Sequence, residues 1–375
     1  MRLFRAPGRV NLIGEHTDYN DGFVMPAAID FFTWVKVSPL EQRNLQIYSE
    51  NFGDEIEVDL DDPNLAPRGH WSDYPIGVTV MLERAGHRLH GARLRIRGEV
   101  PIGSGLSSSA AIEVATACAL VANSNLKIDA RELALLCQRA ENEFVGARVG
   151  IMDQFVSLFG QAQKALLLDC RSLDFRLLPL PDNVRLLICN TMVKHELASS
   201  AYNERRAQCE AGVKHLAQFL PNVTALRDVT FAQLEQFGKD LPDVIYRRCR
   251  HVVTENARVL AAANALEHSD LHEFGRLMAE SHQSLRDDYE VSCEELDLMV
   301  ELARKIEGVY GARMTGGGFG GCTVNLVREE NVEEFRAEVG RQYEQITRLK
   351  PEIYICSASN GAEEMYEPRM NADER

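Results

Sequence analysis

A stretch rich in glycine and serine, residues 101–111, leads directly into an apolar helical pattern over residues 107–123. Gly103 and Gly105 let the backbone turn tightly and approach a ligand closely. The serines that follow supply hydroxyl groups and cap the helix, and the free amide groups at the start of a helix favour an anion. The stretch therefore predicts an anion-binding loop. A helix cap that binds no ligand is the alternative, and the pattern by itself leaves both open.

A second glycine-rich stretch has five glycines in the six positions 316–321. Gly316, Gly318 and Gly321 match the spacing of a dinucleotide-binding fingerprint. That fingerprint needs a helix after it, whereas residues 322–327 have the pattern of a strand. The sequence also lacks a Walker phosphate loop and the triplets of protein kinases. We expect these glycines to form a loop that lies against a ligand or against another backbone.

Two short polar segments are further candidates for ligand binding. Glu15, His16 and Asp18 follow an apolar segment that predicts a strand over residues 9–14, and their mixture of donors and acceptors suits the several hydroxyl groups of a polyol. Asp153 stands among apolar residues, where burial or a nearby cation would shift its pKa. A solvated turn is the alternative for the first segment, and a helix N-cap is the alternative for Asp153.

Charge and cysteine content exclude several classes of function. The formal net charge is −15, which disfavours general binding to nucleic acid or to an anionic membrane. No apolar run has the length of a transmembrane helix, and the N-terminus does not resemble a signal peptide. The nine cysteines are scattered without a C-x-x-C pair, which argues against a zinc site and a disulfide framework. We expect a cytoplasmic protein without a nucleic-acid or membrane partner.

The pattern along the 375 residues predicts two domains. Strands are predicted over residues 9–14, 23–37, 46–49, 55–60, 94–97, 164–170, 184–190, 322–327 and 352–356. Helices are predicted over residues 107–123, 129–145 and 331–348, and over a mainly helical region 199–306 with breaks at Pro221, Pro242 and Asp270. Pro179 and Pro181 favour a boundary nearby. The predicted domains are therefore residues 1–180 and 181–375.

Together, three ordered motifs resemble the GHMP family of small-molecule kinases, and most closely the branch of it that phosphorylates galactose. Residues 8–19 look like the sugar signature of that branch, residues 101–111 like the phosphate loop of the family, and residues 315–322 like its third, glycine-rich motif. Residues 150–155, 200–206 and 284–289 are similar to further segments of the same branch. The first motif is specific to the branch, whereas the other two are common to the family.

The resemblance implies an α+β fold of two domains, with a cleft for ATP and sugar between them. The N-terminal domain would be ribosomal protein S5 domain 2-like and the C-terminal domain ferredoxin-like. The implied reaction moves the γ-phosphoryl group of ATP to the C1 hydroxyl of α-D-galactose, with Mg²⁺. Its products are α-D-galactose 1-phosphate and ADP, in the first committed step of galactose catabolism (the Leloir pathway). The implied partners are these small molecules, and the protein would be a monomer or a weak homo-oligomer.

The resemblance also assigns roles to residues of this chain. The catalytic positions are Asp153 and Arg9. The sugar-binding positions are Glu15, His16, Thr17, Asp18, Asp153 and Tyr202. The nucleotide-binding positions are Ser49, Gly103, Ser104, Gly105, Leu106, Ser107, Ser108 and Ser109. The Mg²⁺ positions are Ser109 and Glu141.

Two alternatives to this function stay open. A kinase for N-acetylgalactosamine, or for another sugar phosphorylated at C1, needs only a wider pocket, and the motifs do not report pocket width. A non-catalytic sensor of galactose and ATP is the second alternative, since non-catalytic inducer proteins that resemble this branch exist and some lack two residues of the serine–alanine loop. Here the loop is uninterrupted, and Arg9 and Asp153 are both present. These residues favour an enzyme, in which Asp153 either accepts the C1 proton or only orients the hydroxyl.

Overall fold

The computed structural model describes residues 1–194 and 198–365, and these residues form a mixed α+β fold. The helices are α1 Asp73–Arg84, α2 Ser108–Asn123, α3 Ala130–Arg139, α4 Met152–Phe159, α5 Ala198–Leu216, α6 Phe231–Phe237, α7 Asp243–Glu267, α8 Leu271–Ser284, α9 Glu294–Ala303 and α10 Val332–Thr347. The strands are β1 Arg2–Asn11, β2 Phe23–Val24, β3 Pro26–Pro39, β4 Asn44–Ser49, β5 Asp54–Asp59, β6 Ala92–Gly98, β7 Lys164–Asp169, β8 Phe175–Pro179, β9 Val184–Lys194, β10 Val309–Thr315, β11 Gly320–Arg328, β12 Glu352–Cys356 and β13 Glu363–Met365.

Three sheets organise these strands. The largest has the order β13-β1-β3-β6-β4-β5, in which β4 and β6 run parallel and the other neighbours run antiparallel. The second sheet has the antiparallel order β10-β11-β9-β12, and the third is β2-β7-β8. Helix α2 packs on β1 and β3, and helices α9 and α10 pack on the second sheet. None of the described helices has the length and apolar character needed to cross a membrane.

The α+β class and most of the predicted elements are confirmed. Helices α2 and α10 begin or end within one residue of their predicted bounds. The helix predicted to run to Val145 is α3 followed by a π-helical turn, Ala140–Val145, and Asp129 caps it by accepting hydrogen bonds from the amides of Arg131 and Glu132.

Two strand predictions in the first 40 residues are wrong in extent. The strand predicted over residues 9–14 is β1, which begins at Arg2, bulges at Gly8 and ends at Asn11. The strand predicted over residues 23–37 is divided into β2 and β3 at Met25, whose backbone bonds instead to Leu12 and Ile13. These bonds hold residues 12–14 against the start of β3, so the polar segment that follows turns inward.

One of the apolar clusters contains residues from both the first and the second half of the chain. Val10 of β1 and Leu106 pack in one cluster with Ile188 of β9, Val259 of α7 and Val324 of β11. The last described strand, β13, also returns to pair with β1 in the largest sheet. The division into residues 1–180 and 181–375 therefore stays a prediction. In the structure, the two parts share an apolar cluster and a sheet.

Candidate active site

A cavity of about 870 Å³ opens where the end of β1, the start of α2, the start of α4 and the loop before β11 meet. It gathers most of the residues that the sequence analysis singled out. Its lining includes Arg9, Glu15, His16, Asp18, Ser49, Gly103, Gly105, Ser107, Ser108, Ser109, Glu141, Asp153 and Tyr202. Segments far apart in the chain thus contribute to one site.

Arg9 and Asp153 form a two-point ion pair at one wall of the cavity. Nε of Arg9 donates to Oδ1 of Asp153 at 2.8 Å, and the second terminal nitrogen donates to Oδ2 at 2.8 Å. The remaining terminal nitrogen of Arg9 donates to the carbonyl of Gly105 at 2.6 Å, and the hydroxyl of Ser107 donates to Asp153. Two further hydrogen bonds therefore connect the pair to the glycine- and serine-rich loop of residues 101–111, which we call the phosphate-loop candidate.

This arrangement keeps Arg9 charged. Burial by itself would lower the pKa of Arg9, but the surrounding carboxylates, led by Asp153 and followed by Glu15, together raise it. The guanidinium stays protonated in any case at neutral pH. A permanent cation thus lies beside a carboxylate in a cavity where solvent screening is weak.

The loop over residues 101–107 has the conformation that its glycines predict. Gly103 and Gly105 have φ of +70° and +81°, and Ser107, the residue before α2, has a left-handed φ of +60°. In the part of the chain that the structure describes, no side chain caps the first turn of α2. Its first amide groups are therefore available to an anion in the cavity.

Two predicted nucleotide contacts can act only through their backbone. Ser104 is buried and its hydroxyl donates to the carbonyl of Pro101 at 2.7 Å. The side chain of Leu106 belongs to the shared apolar cluster. Ser108 and Ser109, by contrast, line the cavity together with Ser49 at the end of β4.

Behind the loop, two carboxyl groups share one amide. Nε2 of Gln154 donates to Oε2 of Glu141 at 2.7 Å and to Oε2 of Glu113 at 2.9 Å. Burial, with repulsion from Asp153, raises the pKa of Glu141 to about 7, although a hydrogen bond from Ser109 opposes this shift. Burial also raises the pKa of Glu113 well above its usual range. A cation at the cavity wall would therefore stabilise the ionised form of Glu141.

Ser109 and Glu141 fit a hard divalent cation. Both are oxygen donors, they contact each other, and both line the cavity. The described residues contain no group of three or more His, Cys, Asp or Glu that would hold a metal by themselves. A hydroxyl and a carboxylate suit an ion such as Mg²⁺, which takes few protein ligands and fills its shell with water and phosphate oxygens.

The opposite side of the cavity carries Glu15. Its Oε1 accepts hydrogen bonds from the amide of Gly316 at 2.8 Å and from the hydroxyl of Thr315 at 3.0 Å, and it lies 3.4 Å from a terminal nitrogen of the fully buried Arg313. The third motif is thus the loop that holds Glu15 in place. Its glycines at 316, 318 and 321 have φ near +80°, a conformation that side chains rarely adopt.

Asp18 faces the cavity from a short 3₁₀ turn, Asp18–Asn20. Burial, followed by repulsion from Asp153, raises the pKa of Asp18 to about 7. Gly150 packs closely against it, since a Cβ atom added at Gly150 would lie 1.9 Å from Oδ2 of Asp18. The segment before α4 therefore fixes Asp18 as well as presenting Asp153.

His16 and Tyr202 complete this side, whereas Thr17 does not face the cavity. The rings of His16 and Tyr202 lie with centroids 5.4 Å apart. The hydroxyl of Thr17 donates instead to the backbone carbonyls of Gly14 and Phe23, at 2.8 and 2.7 Å. Thr17 thus fixes the turn that carries its two neighbours.

Sequence reasoning missed an aromatic wall next to Ser49. Phe52 and Trp71 stack with ring centroids 5.8 Å apart, and both line the cavity with Tyr74 and Asn51. Phe52 is 53% exposed. The only sequence signal is a set of aromatic residues in polar segments, which is too weak to mark a site.

Comparison with known proteins identifies the family. Residues 2–39 match the galactokinase galactose-binding signature, residues 73–161 the N-terminal domain of GHMP kinases, and residues 262–345 the C-terminal domain of GHMP kinases. A galactokinase of Roseiflexus sp. is 49% identical over 359 residues, covering 96% of this chain and 92% of that protein. The chain belongs to the galactokinase family. A galactokinase of Chloroflexus aggregans is 48% identical over 97% of this chain and 94% of that protein.

Solved galactokinase and GHMP kinase structures have the same fold. The crystal structure of Lactococcus lactis galactokinase complexed with galactose superposes with a TM-score of 0.93 and 39% identity, covering 97% of this chain and 95% of that one. A mevalonate kinase structure, 19% identical over 96% of this chain and 99% of that one, has a TM-score of 0.67. The galactokinase resemblance and the α+β GHMP fold predicted from the motifs are therefore confirmed.

Proposed function

We propose that this protein is a galactokinase, which transfers the γ-phosphoryl group of ATP to the C1 hydroxyl of α-D-galactose. The Arg9–Asp153 ion pair, held against the phosphate-loop candidate, is the observation that carries the proposal. It places a permanent cation and a carboxylate at one point of a cavity that has free helix amides on one side and Glu15, His16 and Asp18 on the other. Family membership supports the same reaction.

Arg9 stabilises the charge that develops on the transferred group. Phosphoryl transfer asks a protein mainly for positioning and for neutralisation of charge on the equatorial oxygens. The C1 oxygen forms a bond to the γ-phosphorus, the bond from that phosphorus to the β,γ-bridging oxygen breaks, and ADP leaves. Asp153 accepts the hydrogen bond of the C1 hydroxyl. It either takes the proton itself, or only orients the hydroxyl while the proton passes to an oxygen of the transferred phosphoryl group. The Ser107 hydroxyl, which donates to Asp153, keeps that carboxylate oriented.

The nucleotide lies along the loop over residues 101–109. The first amide groups of α2 and the backbone of Gly103 and Gly105 receive the phosphates. The stacked rings of Phe52 and Trp71, beside Ser49, offer a flat apolar surface for the base. In this arrangement Ser104 and Leu106 contribute through backbone groups only.

Ser109 and Glu141 are the residues that would hold Mg²⁺. When bound, the ion neutralises phosphate charge. The raised pKa of Glu141 makes its ionisation costly in the free protein, and a nearby cation lowers that cost.

The sugar lies between Asp153 and the loop that follows β1. Glu15, Asp18 and His16 face the cavity together with Tyr202, and this set offers both acceptors and donors for several hydroxyl groups. Thr17 supports the same loop from behind. All described cysteines are free, which supports a reducing, cytoplasmic setting; monomer or weak homo-oligomer stays our expectation for the assembly.

An ADP-release assay tests the proposal directly. The purified protein is offered ATP and Mg²⁺ with galactose, N-acetylgalactosamine, glucose, arabinose, mevalonate or homoserine in turn. We expect turnover with galactose well above that with the other compounds, and a product phosphorylated at C1 by NMR. Preferred turnover of N-acetylgalactosamine would replace the proposed substrate. ATP binding without turnover of any of these compounds would indicate a sensor and not an enzyme.

A further inference from the structure

His16 occupies an unusual position for a histidine. Its backbone has a left-handed φ of +63°, a strained conformation that non-glycine residues rarely adopt. Its side chain is buried among three tyrosine rings, with centroid distances of 4.7 Å to Tyr289, 5.4 Å to Tyr202 and 5.8 Å to Tyr19. The fold thus holds this imidazole in one place at a cost in stability.

A chain of hydrogen bonds ends on the ring. Nδ1 of His16 lies 2.8 Å from the Tyr19 hydroxyl, which lies 2.7 Å from the Tyr289 hydroxyl, which in turn lies 3.2 Å from Sγ of Cys209. Tyr289 and Cys209 are fully buried. Two directions of donation along this chain are geometrically possible. One places the hydrogen of the neutral His16 ring on Nδ1, and the other places it on Nε2.

Chemistry selects one direction. A phenol O–H is a stronger donor than an imidazole N–H, and an imidazole nitrogen is a stronger acceptor than a phenol oxygen. Tyr19 therefore donates to Nδ1, and Tyr289 donates to Tyr19.

The imidazole is neutral in this setting. Burial is the main cause that lowers the pKa of His16 to about 3. A neutral imidazole that accepts at Nδ1 carries its one hydrogen on Nε2. Within the described residues, Nε2 is buried and makes no hydrogen bond of normal geometry, although the backbone carbonyl of Gly317 lies near the ring as a weak acceptor, while the His16 side chain lines the cavity. A donor is thus left for a ligand beside the carboxylates of Glu15 and Asp18.

We propose that Tyr19 and Tyr289 are positioning residues that hold His16 as its Nε2–H tautomer, so that His16 donates a hydrogen bond to an oxygen of the sugar. This inference rests on the proposed function for the identity of the ligand. It makes His16 the neutral donor of a subsite whose carboxylates accept. The alternative tautomer would turn an unprotonated nitrogen toward the cavity, and this position beside the carboxylates of Glu15 and Asp18 would be one more acceptor instead of a donor.

The tautomer is measured without substrate. Protein labelled with ¹⁵N-histidine gives separate signals for protonated and unprotonated ring nitrogens, and the signals of His16 are those that disappear in His16→Gln. We expect wild-type His16 to be protonated at Nε2, and Tyr19→Phe to show a mixture of tautomers. Protonation at Nδ1 in the wild-type protein, or an unchanged tautomer in Tyr19→Phe, would overturn the proposal.

Kinetics give a second readout. We expect Tyr19→Phe to raise the KM for galactose about tenfold, the size of one lost hydrogen bond, and to leave the KM for ATP unchanged. Tyr289→Phe acts in the same direction with a smaller effect, and it replaces Tyr19→Phe if that variant does not fold. The matched control is Tyr343→Phe, which removes a buried hydroxyl bonded to Thr191 and leaves both KM values unchanged.

The outcomes separate this proposal from the proposed function. A wild-type protein without turnover of galactose counts against the activity, whereas the tautomer of His16 is read in the free protein. A rise in the KM for ATP equal to that for galactose would assign Tyr19 a general structural role and overturn the positioning role.

Discussion

Asp153 accepts hydrogen bonds from three donors, two nitrogens of Arg9 and the hydroxyl of Ser107. It lies in the first turn of α4, close to the position where a capping aspartate would stand. Its partners come instead from β1 and from the phosphate-loop candidate, so its carboxylate is directed into the cavity. Asp153 is therefore not the N-cap of α4, a position that Ile151 occupies.

Asp153→Asn should lower kcat by a factor on the order of 10² or more, because an amide neither takes a proton nor orients the C1 hydroxyl as a carboxylate does. The variant should stay folded and bind ATP, as measured by thermal unfolding and calorimetry. Asp169→Asn is the control, since Asp169 forms a two-point pair with Arg227 outside the cavity lining. Near wild-type turnover of Asp153→Asn would remove Asp153 from the mechanism.

Arg9→Ala should also cost on the order of 10² in kcat, since it deletes a fixed cation directed at developing charge. Arg227→Ala, which breaks the comparable pair with Asp169, is the control and should leave kcat unchanged. Steady-state kinetics with both substrates distinguish the roles. If only a KM rises, Arg9 binds substrate and does not stabilise the transition state.

The motifs predicted the identity of the residues around the cavity far better than their contacts. Arg9 and Asp153 are 144 positions apart in sequence, and nothing in either motif shows that they pair. The amide of Gln154, which links Glu113 to Glu141, was likewise unpredictable, since it depends on how α2, α4 and the π turn pack. Thr17 stays a predicted sugar-binding position, although its hydroxyl bonds to backbone carbonyls of the turn and is not part of the cavity lining.

At the scale of elements, local patterns predicted helices and strands but not their arrangement. The alternation of apolar residues marks a strand without specifying its neighbour. The parallel pairing of β4 with β6 depends on a long crossover that contains α1, a helix that the sequence analysis did not predict. β13 was also missed, because three residues give no periodicity.

The segment before α4 is a second element with a testable role. Gly150→Ala should raise the KM for galactose by about tenfold or more, since the new Cβ would displace the carboxylate of Asp18. Initial rates at saturating ATP measure this effect. Gly340→Ala in α10 is the control, because its Cβ would meet nothing closer than 3.6 Å, and it should leave the kinetics unchanged. An unaltered KM in Gly150→Ala would show that Asp18 does not need its present position.

At the scale of the whole molecule, the buried carboxyl group of Asp18 makes the free energy of unfolding depend on pH. The pKa of Asp18 is raised to about 7 in the folded protein, so the folded state holds a proton that the unfolded chain releases near pH 4. Wild-type stability should therefore fall relative to Asp18→Asn as the pH rises from about 4 to 7, by on the order of 2–4 kcal/mol, and the difference should level off above pH 7.

Urea unfolding of the ligand-free wild type and of Asp18→Asn at several pH values measures this difference. The pKa values of His16 and His251 are lowered to about 3 and 4, so these groups make the stability rise with pH. Both proteins contain them, and the difference in stability between the two proteins therefore cancels their effect. A difference that stays constant from pH 4 to pH 7 would contradict the raised pKa.

The return of β13 to β1 has a consequence for synthesis. Leu3 of β1 pairs with Met365 of β13. During translation β1 therefore leaves the ribosome long before its partner strand β13 has been synthesised. At roughly 5–20 residues per second, the interval is tens of seconds. During that time β1 presents unpaired backbone groups to other nascent chains. We therefore expect this protein to depend on chaperones during translation more than its stability once folded would indicate.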